Sequence, residues 1–248
     1  SSENFMSGVN FIEALKLRAS YGIVGNDDIG NYSATQYYVS QNLLGSQGLV
    51  RGNIANTALK WETIKKVNAG FDASFLKERL NLSFDYFNNN STDMITYEPV
   101  ASITGFQYAL TNNSAMKTHG VSLGVTGRVI NSKLTWDLGI NLSSYKNMIT
   151  KIPNNVLLTD YAGGTIITEV GQSANQVYGF KTNGVYTSDA QAAASGLQNR
   201  REDGTVTAFR GGDVRFVDNN HDGFIDNSDR QVRGNPNPDF TGGISTML

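Results

Sequence analysis

Apolar residues recur at every second position over five long stretches of this chain. In Ala14–Ile23 they are Leu15, Leu17, Ala19, Tyr21 and Ile23, separated by Lys16, Arg18, Ser20 and Gly22. In Lys66–Leu76 they are Val67, Ala69, Phe71, Ala73 and Phe75, separated by Asn68, Gly70, Asp72 and Ser74. Arg79–Phe87 puts Leu80, Leu82, Phe84 and Tyr86 on one face and Asn81, Ser83 and Asp85 on the other. Val121, Leu123, Val125 and Val129 alternate with Ser122, Gly124, Thr126 and Arg128. Leu134, Trp136, Leu138, Ile140 and Leu142 alternate with Thr135, Asp137, Gly139, Asn141 and Ser143. A strand turns successive side chains to opposite faces, so the pattern predicts five strands, each with an apolar and a polar face. At about 9–13 residues they exceed the common strand length of about 5–6. About 9–11 tilted residues cross a bilayer, one face meeting lipid and the other a polar lumen. A soluble sheet with one solvated face alternates in the same way.

The connections separate these two readings. Strands two and three are joined by a tight turn at Lys77-Glu78, and strands four and five by Ile130–Lys133. The other connections are long: Val24–Lys65, Asn88–Gly120, and Asn147 to about Asp239. Compact soluble domains rarely carry several loops beyond about 12–15 residues. Outer-membrane barrels alternate short periplasmic turns with long extracellular loops. Strands one, three and five would then run outward, and two and four inward. Tyr21, Phe75, Tyr86, Phe87 and Tyr145 stand near strand ends, where interfacial aromatic girdles lie. Lys16, Arg18 and Arg128 alternate into the lumen side, where charge is tolerated.

The expected fold class is therefore all-β: an antiparallel transmembrane β-barrel segment with long extracellular loops, residues 1–248 forming one partial barrel region. Ser188–Gly196 reads as a short helix capped by Ser or Asp and stopped by Gly, and Phe240–Leu248 as the start of a further strand. Five such strands cannot close a barrel, so the sheet needs more chain or a partner. Ser1-Ser2-Glu3-Asn4 has no basic region or apolar run of a signal peptide, and there is no initiator Met. The chain is expected to be a piece of a longer protein.

Composition narrows the functions. Charged residues are 17%, and the 27 Asn outnumber the 22 Asp+Glu. A net charge of −2 argues against a nucleic-acid partner. No apolar run approaches the roughly 18 residues of a transmembrane helix. With no Cys, disulfide scaffolds, zinc ribbons and thiol catalysis are excluded.

The strongest local motif is Asp218-Asn219-Asn220-His221-Asp222-Gly223-Phe224-Ile225-Asp226-Asn227-Ser228-Asp229. It matches the 12-residue calcium loop at positions 1, 3, 5, 6 and 12. Asp218, Asn220 and Asp222 would supply side-chain oxygens, Phe224 its carbonyl, and Asp226 a direct or water-mediated ligand. Gly223 permits the sharp turn and Ile225 anchors the loop. Asp229 at position 12 has a shorter arm than the usual Glu. Val214–Val217 reads as a strand rather than an EF-hand helix, so a bound calcium would staple an irregular loop. An Asn/Asp-rich turn needing no ion fits the same residues.

Candidates for catalysis are poor, and no enzyme activity is expected. His119 stands at a strand start and His221 inside the Asp-rich loop, with no nucleophile pattern and no H-E-x-x-H. Asp27-Asp28 and Glu202-Asp203 are adjacent acids on polar loops, which a glycosidase pair would need at a defined spacing.

The order of segments resembles a known family. Leu15–Gly22 followed by Gly25-Asn26-Asp27-Asp28-Ile29-Gly30-Asn31-Tyr32 is similar to the "LKLRxSYGxxGN" run of SusC/RagA-type TonB-dependent outer-membrane transporters. Leu59-Lys60-Trp61-Glu62-Thr63 resembles that family's "LxWE" segment. Asp85-Tyr86-Phe87, Thr104-Gly105-Phe106, Asn112, His119-Gly120-Val121, Gly179-Phe180, Gly184-Val185-Tyr186, Gly212-Asp213-Val214 and the Asp218–Asp229 loop follow in family order. The resemblance implies a late-middle portion of a closed barrel of about 22 strands holding an N-terminal plug. It implies import of glycans or peptides across a Gram-negative, Bacteroidetes-like outer membrane. The implied partners are a SusD-like surface lipoprotein, the oligosaccharide or peptide ligand, outer-membrane lipid, and TonB acting through a plug that this sequence lacks along with the last strands. The alternative is a secreted or surface calcium-stabilised β-sandwich that binds carbohydrate, its apolar strand faces forming the core.

Overall fold

Each alternating segment pairs with the next along the chain, as hairpin-connected strands do. The computed structural model describes residues 12–248, so the reading of Ser1–Asn4 lies outside the described residues. The chain divides into two compact units. The first runs to Asn155 and adds Glu169–Gln172 and Pro238–Leu248. Its strands are β1 (Ile12–Asn26), β2 (Tyr38–Leu43), β3 (Ser46–Arg51), β4 (Glu62–Phe75), β5 (Leu80–Pro99), β6 (Tyr108–Asn131) and β7 (Thr135–Lys151). One antiparallel sheet holds β1, β4, β5, β6, β7 and the last strand, Thr241–Met247, in that order. The strand expected from Phe240 is thus present, paired along β7.

Register explains why alternation matters. Leu17, Phe71, Phe84, Leu123 and Leu142 stand opposite one another from strand to strand and form an apolar row. Phe71 and Phe84 stack within it, ring centroids 5.7 Å apart. The next row is Arg18, Gly70, Asp85, Ser122 and Ser143, on the opposite face. Leu17 is 77% exposed and Ile244 is 78% exposed, so the apolar face meets no protein layer at these positions. That overturns the sandwich alternative, in which these side chains would be core. An apolar face this wide in water is a liability; in a bilayer it is solvated by lipid tails.

The strands outrun the expected boundaries. β5 and β6 extend to Pro99 and from Tyr108, so only residues 100–107 connect them, rather than Asn88–Gly120. The first connection shrinks to 27–61 and holds the β2–β3 hairpin, and β7 continues past Asn147 to Lys151. Asn88–Asn90 and Asn112-Asn113 disguise the extension. A strand segment with polar surroundings on both faces has no reason to alternate. Two aromatics expected in a girdle are elsewhere. Phe87 and Tyr145 stand on either side of Gly120 on the polar face, because Tyr86 already points to the apolar one.

The turn between β4 and β5 takes Leu76, Lys77 and Glu78 all into the left-handed region, at φ 55, 56 and 62. Glu13 steadies it, accepting the N–H of Lys77 at 2.6 Å and of Glu78 at 3.4 Å.

The second unit comprises Val156–Thr168 and Ser173–Asn237. Its elements are β8 (Val156–Tyr161), β9 (Gly164–Glu169), β10 (Gln176–Phe180), β11 (Thr182–Val185), α1 (Asp189–Ser195), β12 (Gln198–Arg200), β13 (Val206–Ala208), β14 (Val214–Phe216), β15 (Phe224–Ile225) and β16 (Arg230–Gly234). Thr241–Met247 is β17. β16, β10, β9 and β8 form one sheet, β13, β12 and β15 another, and β11 pairs with β14. The helix has the expected ends: the Ser188 hydroxyl accepts the N–H of Gln191, and Gly196 is left-handed at φ 71. Tyr186, Phe209, Phe216 and Phe180 form a chain of ring contacts at 5.8, 6.3 and 5.3 Å, and Tyr186 is buried along with Ile167, Ala192 and Ile225. Much of the span expected as one loop is therefore short strands.

Gly70 tests the logic of the polar face. A Cβ there would stand 2.5 Å from the Phe84 carbonyl oxygen and would strike the Asp85 carboxylate. Gly70→Ala is expected to destabilise the full-length folded protein by about 1–3 kcal/mol, the usual cost of overpacking. Gly22→Ala, which meets nothing within 4 Å, is expected to change it by less than about 0.5 kcal/mol. Urea unfolding in detergent compares them; equal effects would mean that Gly70 is not a packing requirement.

Candidate functional site

On the polar face of the sheet, Gly70 lies between Arg18 and Asp85 in the register. Its missing side chain lets the guanidinium reach across a strand. Arg18 donates to Asp85 at 3.0 Å, Asp72 at 2.9 Å and Ser83 at 3.1 Å. Arg128 pairs with Asp137 on the same face at 2.8 Å. Of the basic residues expected on the lumen side, Arg18 and Arg128 are neutralised by acids of neighbouring strands, and Lys16 stands opposite Asp72 in the register.

The first long connection is tied to β5 and β6 by amides. Asn112 accepts the Lys60 N–H at 2.9 Å and donates to the carbonyls of Lys60 and Asp93, both at 2.7 Å. Asn56 donates to the Leu110 carbonyl at 2.8 Å. Glu62 accepts the Ile95 N–H at 2.8 Å and an Asn26 amide hydrogen at 3.0 Å. The Leu59–Thr63 motif and Asn112 are thus two halves of one clamp. Beside it lies a cavity of about 400 Å³ lined by Tyr37, Asn53, Tyr97, Phe106, Gln107 and Tyr108, among others.

In the second unit, Asp218–Asp229 folds as an acid-centred loop. Asp218 accepts the N–H groups of His221 and Gly223, at 2.7 and 2.9 Å. Asn220 accepts from Asp222, and Asp222 from Phe224, at 3.1 and 2.8 Å. Asp226 caps Ser228 at 2.8 Å, and Asp229 accepts from Asn219 and Asp226 at 2.7 and 2.9 Å. Asp229 is 0% exposed, so its short arm is the loop's internal brace. Arg200 of β12 was not foreseen. It donates to Asp226 at 2.8 Å and Asp222 at 2.9 Å, and its guanidinium lies 4.3 Å from the Phe224 ring centre. No signal in the loop itself announces a partner 22 residues upstream.

These bonds set the charge state. The Phe224 N–H, and more weakly Arg200, hold the Asp222 carboxyl below the usual carboxylate range. The Ser228 N–H and then Arg200 do the same for Asp226. The hard oxygen donors are of the kind that suits calcium. Among the described residues no three Asp, Glu or His side chains converge as a metal site, and a guanidinium already neutralises two of the acids.

The remaining candidates are distributed over both units. His119 faces Asn88 and Lys146 in the register, and His221 is left-handed at φ 61 within the loop. Glu202 accepts the Asn227 amide at 2.7 Å, and Asp203 caps the Thr205 N–H at 2.9 Å. Both acids line a second, open cavity of about 770 Å³ with Arg200, Arg201 and Asp226. Asp27 and Asp28 lie in the other unit.

Asp229→Ala is expected to destabilise the second unit by about 1–3 kcal/mol, because two amides lose their buried acceptor. Amide hydrogen exchange should quicken at Asn219 and Asp226. Unchanged protection there would mean that Asp229 does not brace the loop.

Comparison with known proteins agrees with this architecture. The family described as "TonB dependent receptor-like, beta-barrel" matches residues 4–241. TonB-dependent receptor P3 of Formosa agariphila is 31% identical over 100% of this chain and 25% of its own length. TonB-dependent receptor SusC of Bacteroides thetaiotaomicron is 27% identical over 99% of this chain and 24% of its own. The chain spans about a quarter of the length of these relatives. The structure described as the RagAB peptide transporter superposes with a TM-score of 0.76 over 98% of this chain and 25% of that one, at 24% identity, a likeness of fold. The chain belongs to the TonB-dependent receptor-like β-barrels of the outer membrane.

Proposed function

We propose that the protein containing this chain imports an oligosaccharide or peptide across the outer membrane, energised by TonB through a plug and working with a SusD-like surface lipoprotein. The observation that carries this reading is the two-faced sheet: an exposed apolar face backed by a polar one on which Arg18 and Arg128 pair with acids across strands. That is the physical requirement of a barrel wall around a wet interior. The residues described here supply wall and connections, and the substrate undergoes no covalent change at them. The names of the relatives support the TonB coupling, and the fold likeness to the RagAB peptide transporter is compatible with a two-component importer.

Deleting the gene is expected to abolish uptake of the cognate nutrient by whole cells, and a protonophore to abolish it in the wild type. Uptake that survives deletion, or is indifferent to the proton gradient, would overturn the reading.

We also propose calcium as a competitor of Arg200 for the Asp218–Asp229 loop, supported by the Asp/Asn/Gly spacing. Asp218, Asn220, Asp222, Phe224, Asp226 and Asp229 are the residues that would hold it. Since Arg200 already neutralises Asp222 and Asp226, Arg200→Gln is expected to tighten calcium binding at least tenfold. Calorimetric titration of the full-length protein reads it. No binding at millimolar calcium in either protein would exclude the ion.

A further inference from the structure

We infer that the cavity between the first long connection and the β5–β6 hairpin is a subsite for a neutral saccharide, an inference that rests on the import reading above. Two cavities of the described residues differ in the chemistry of their linings. The cavity around Arg200 is lined by Arg200, Arg201, Glu202, Asp203 and Asp226. The one beside the hairpin, about 400 Å³, has no Asp, Glu, Lys, Arg or His in its lining. Its volume falls within the range of small-molecule sites, roughly 300–1,000 Å³.

The walls are built in advance. Tyr97 and Tyr108 belong to paired strands and meet edge to face, ring centroids 6.2 Å apart. Tyr97 is 66% exposed and Tyr108 51%, so the paired rings leave surface open to a ligand. Tyr37 is fixed from the other side. Its carbonyl accepts the Gly52 N–H at 2.8 Å, its N–H donates to Asn53 at 3.2 Å, and its ring lies where a Gly52 side chain would be. Asn53 also donates to the Ser33 and Thr35 carbonyls, at 3.2 and 2.9 Å, so its amide is spent on bracing the loop. The Tyr37, Tyr97 and Tyr108 hydroxyls and the Gln107 side-chain amide form no hydrogen bond with other described residues.

Rigid rings with free hydroxyls and an amide match a sugar. Its C–H face packs on an aromatic ring, and its hydroxyls exchange hydrogen bonds with phenol and amide at little cost in side-chain entropy. A short peptide brings charged termini, and this cavity holds no counter-charge to offset their desolvation. The absence of ionisable lining groups also separates a neutral sugar from an acidic one.

The test uses the purified full-length protein in detergent. Neutral oligosaccharides of glucose, mannose, galactose and xylose, and zwitterionic peptides of similar mass, are titrated calorimetrically into the wild type and into the Tyr97→Ala/Tyr108→Ala double variant. Heat-modifiable gel mobility verifies folding of the variant. We expect at least one neutral saccharide to bind the wild type, and to bind the double variant at least tenfold more weakly. No saccharide binding to the wild type, equal binding to both proteins, or tyrosine-dependent binding of peptide instead would overturn the assignment. Whole-cell uptake is scored separately in the gene deletion. Lost uptake with tyrosine-independent binding sinks the subsite and spares the importer; tyrosine-dependent binding with uptake intact in the deletion does the reverse.

Discussion

Inside a bilayer no water completes a backbone hydrogen bond, so every N–H and C=O of a spanning strand must be taken by another strand. This constraint decides the first unit. Five strands and β17 join in a single antiparallel ladder, and their outward side chains are left to a solvent other than water. The exposed Leu17, Tyr21, Val67, Tyr86 and Ile244 are then ordinary residues facing lipid. β1 and β17 each pair on one side only among the described residues, which is what a portion of a larger barrel wall requires.

The opposite face solves a different problem. Arg18 and Arg128 on this face are neutralised locally, by acids fixed on neighbouring strands. A strand spacing alone does not bring Arg18 to Asp85; the empty side of Gly70 does. Gly120 makes the same kind of room for the Phe87 ring, whose edge would be 2.6 Å from an added Cβ. Glycine in a strand is entropically costly, and at Gly70 and Gly120 it stands where a larger neighbour crosses it.

The barrel wall was legible because lipid and lumen impose alternation on every residue between them. Where that demand ends, the signal ends too. β5 and β6 continue through Asn88–Asn90 and Asn112-Asn113 without alternating, and the β2–β3 hairpin carries no period that separates it from a loop. Adjacent aromatics were legible as a pair but not as a choice: Tyr86 and Phe87 cannot both face lipid, and only the register says which does. The acid spacing of Asp218–Asp229 was equally plain, while Arg200, which joins it through the parallel pairing of β12 with β15, is invisible without the fold.

Low charge and abundant asparagine acquire a structural meaning in the long connections. Salt bridges between exposed groups contribute little and weaken in salt. An asparagine amide both donates and accepts, so one side chain can hold two backbone groups of a distant segment. Asn112 grips both the N–H and the carbonyl of Lys60, and Asn53 holds three backbone groups of its own connection. Stitching by amides orders a polar segment without charging it. That is how the cavity beside β5 and β6 can have fixed walls and yet no ionisable lining, whereas the Arg200 cavity, built around an ion-paired acidic loop, cannot.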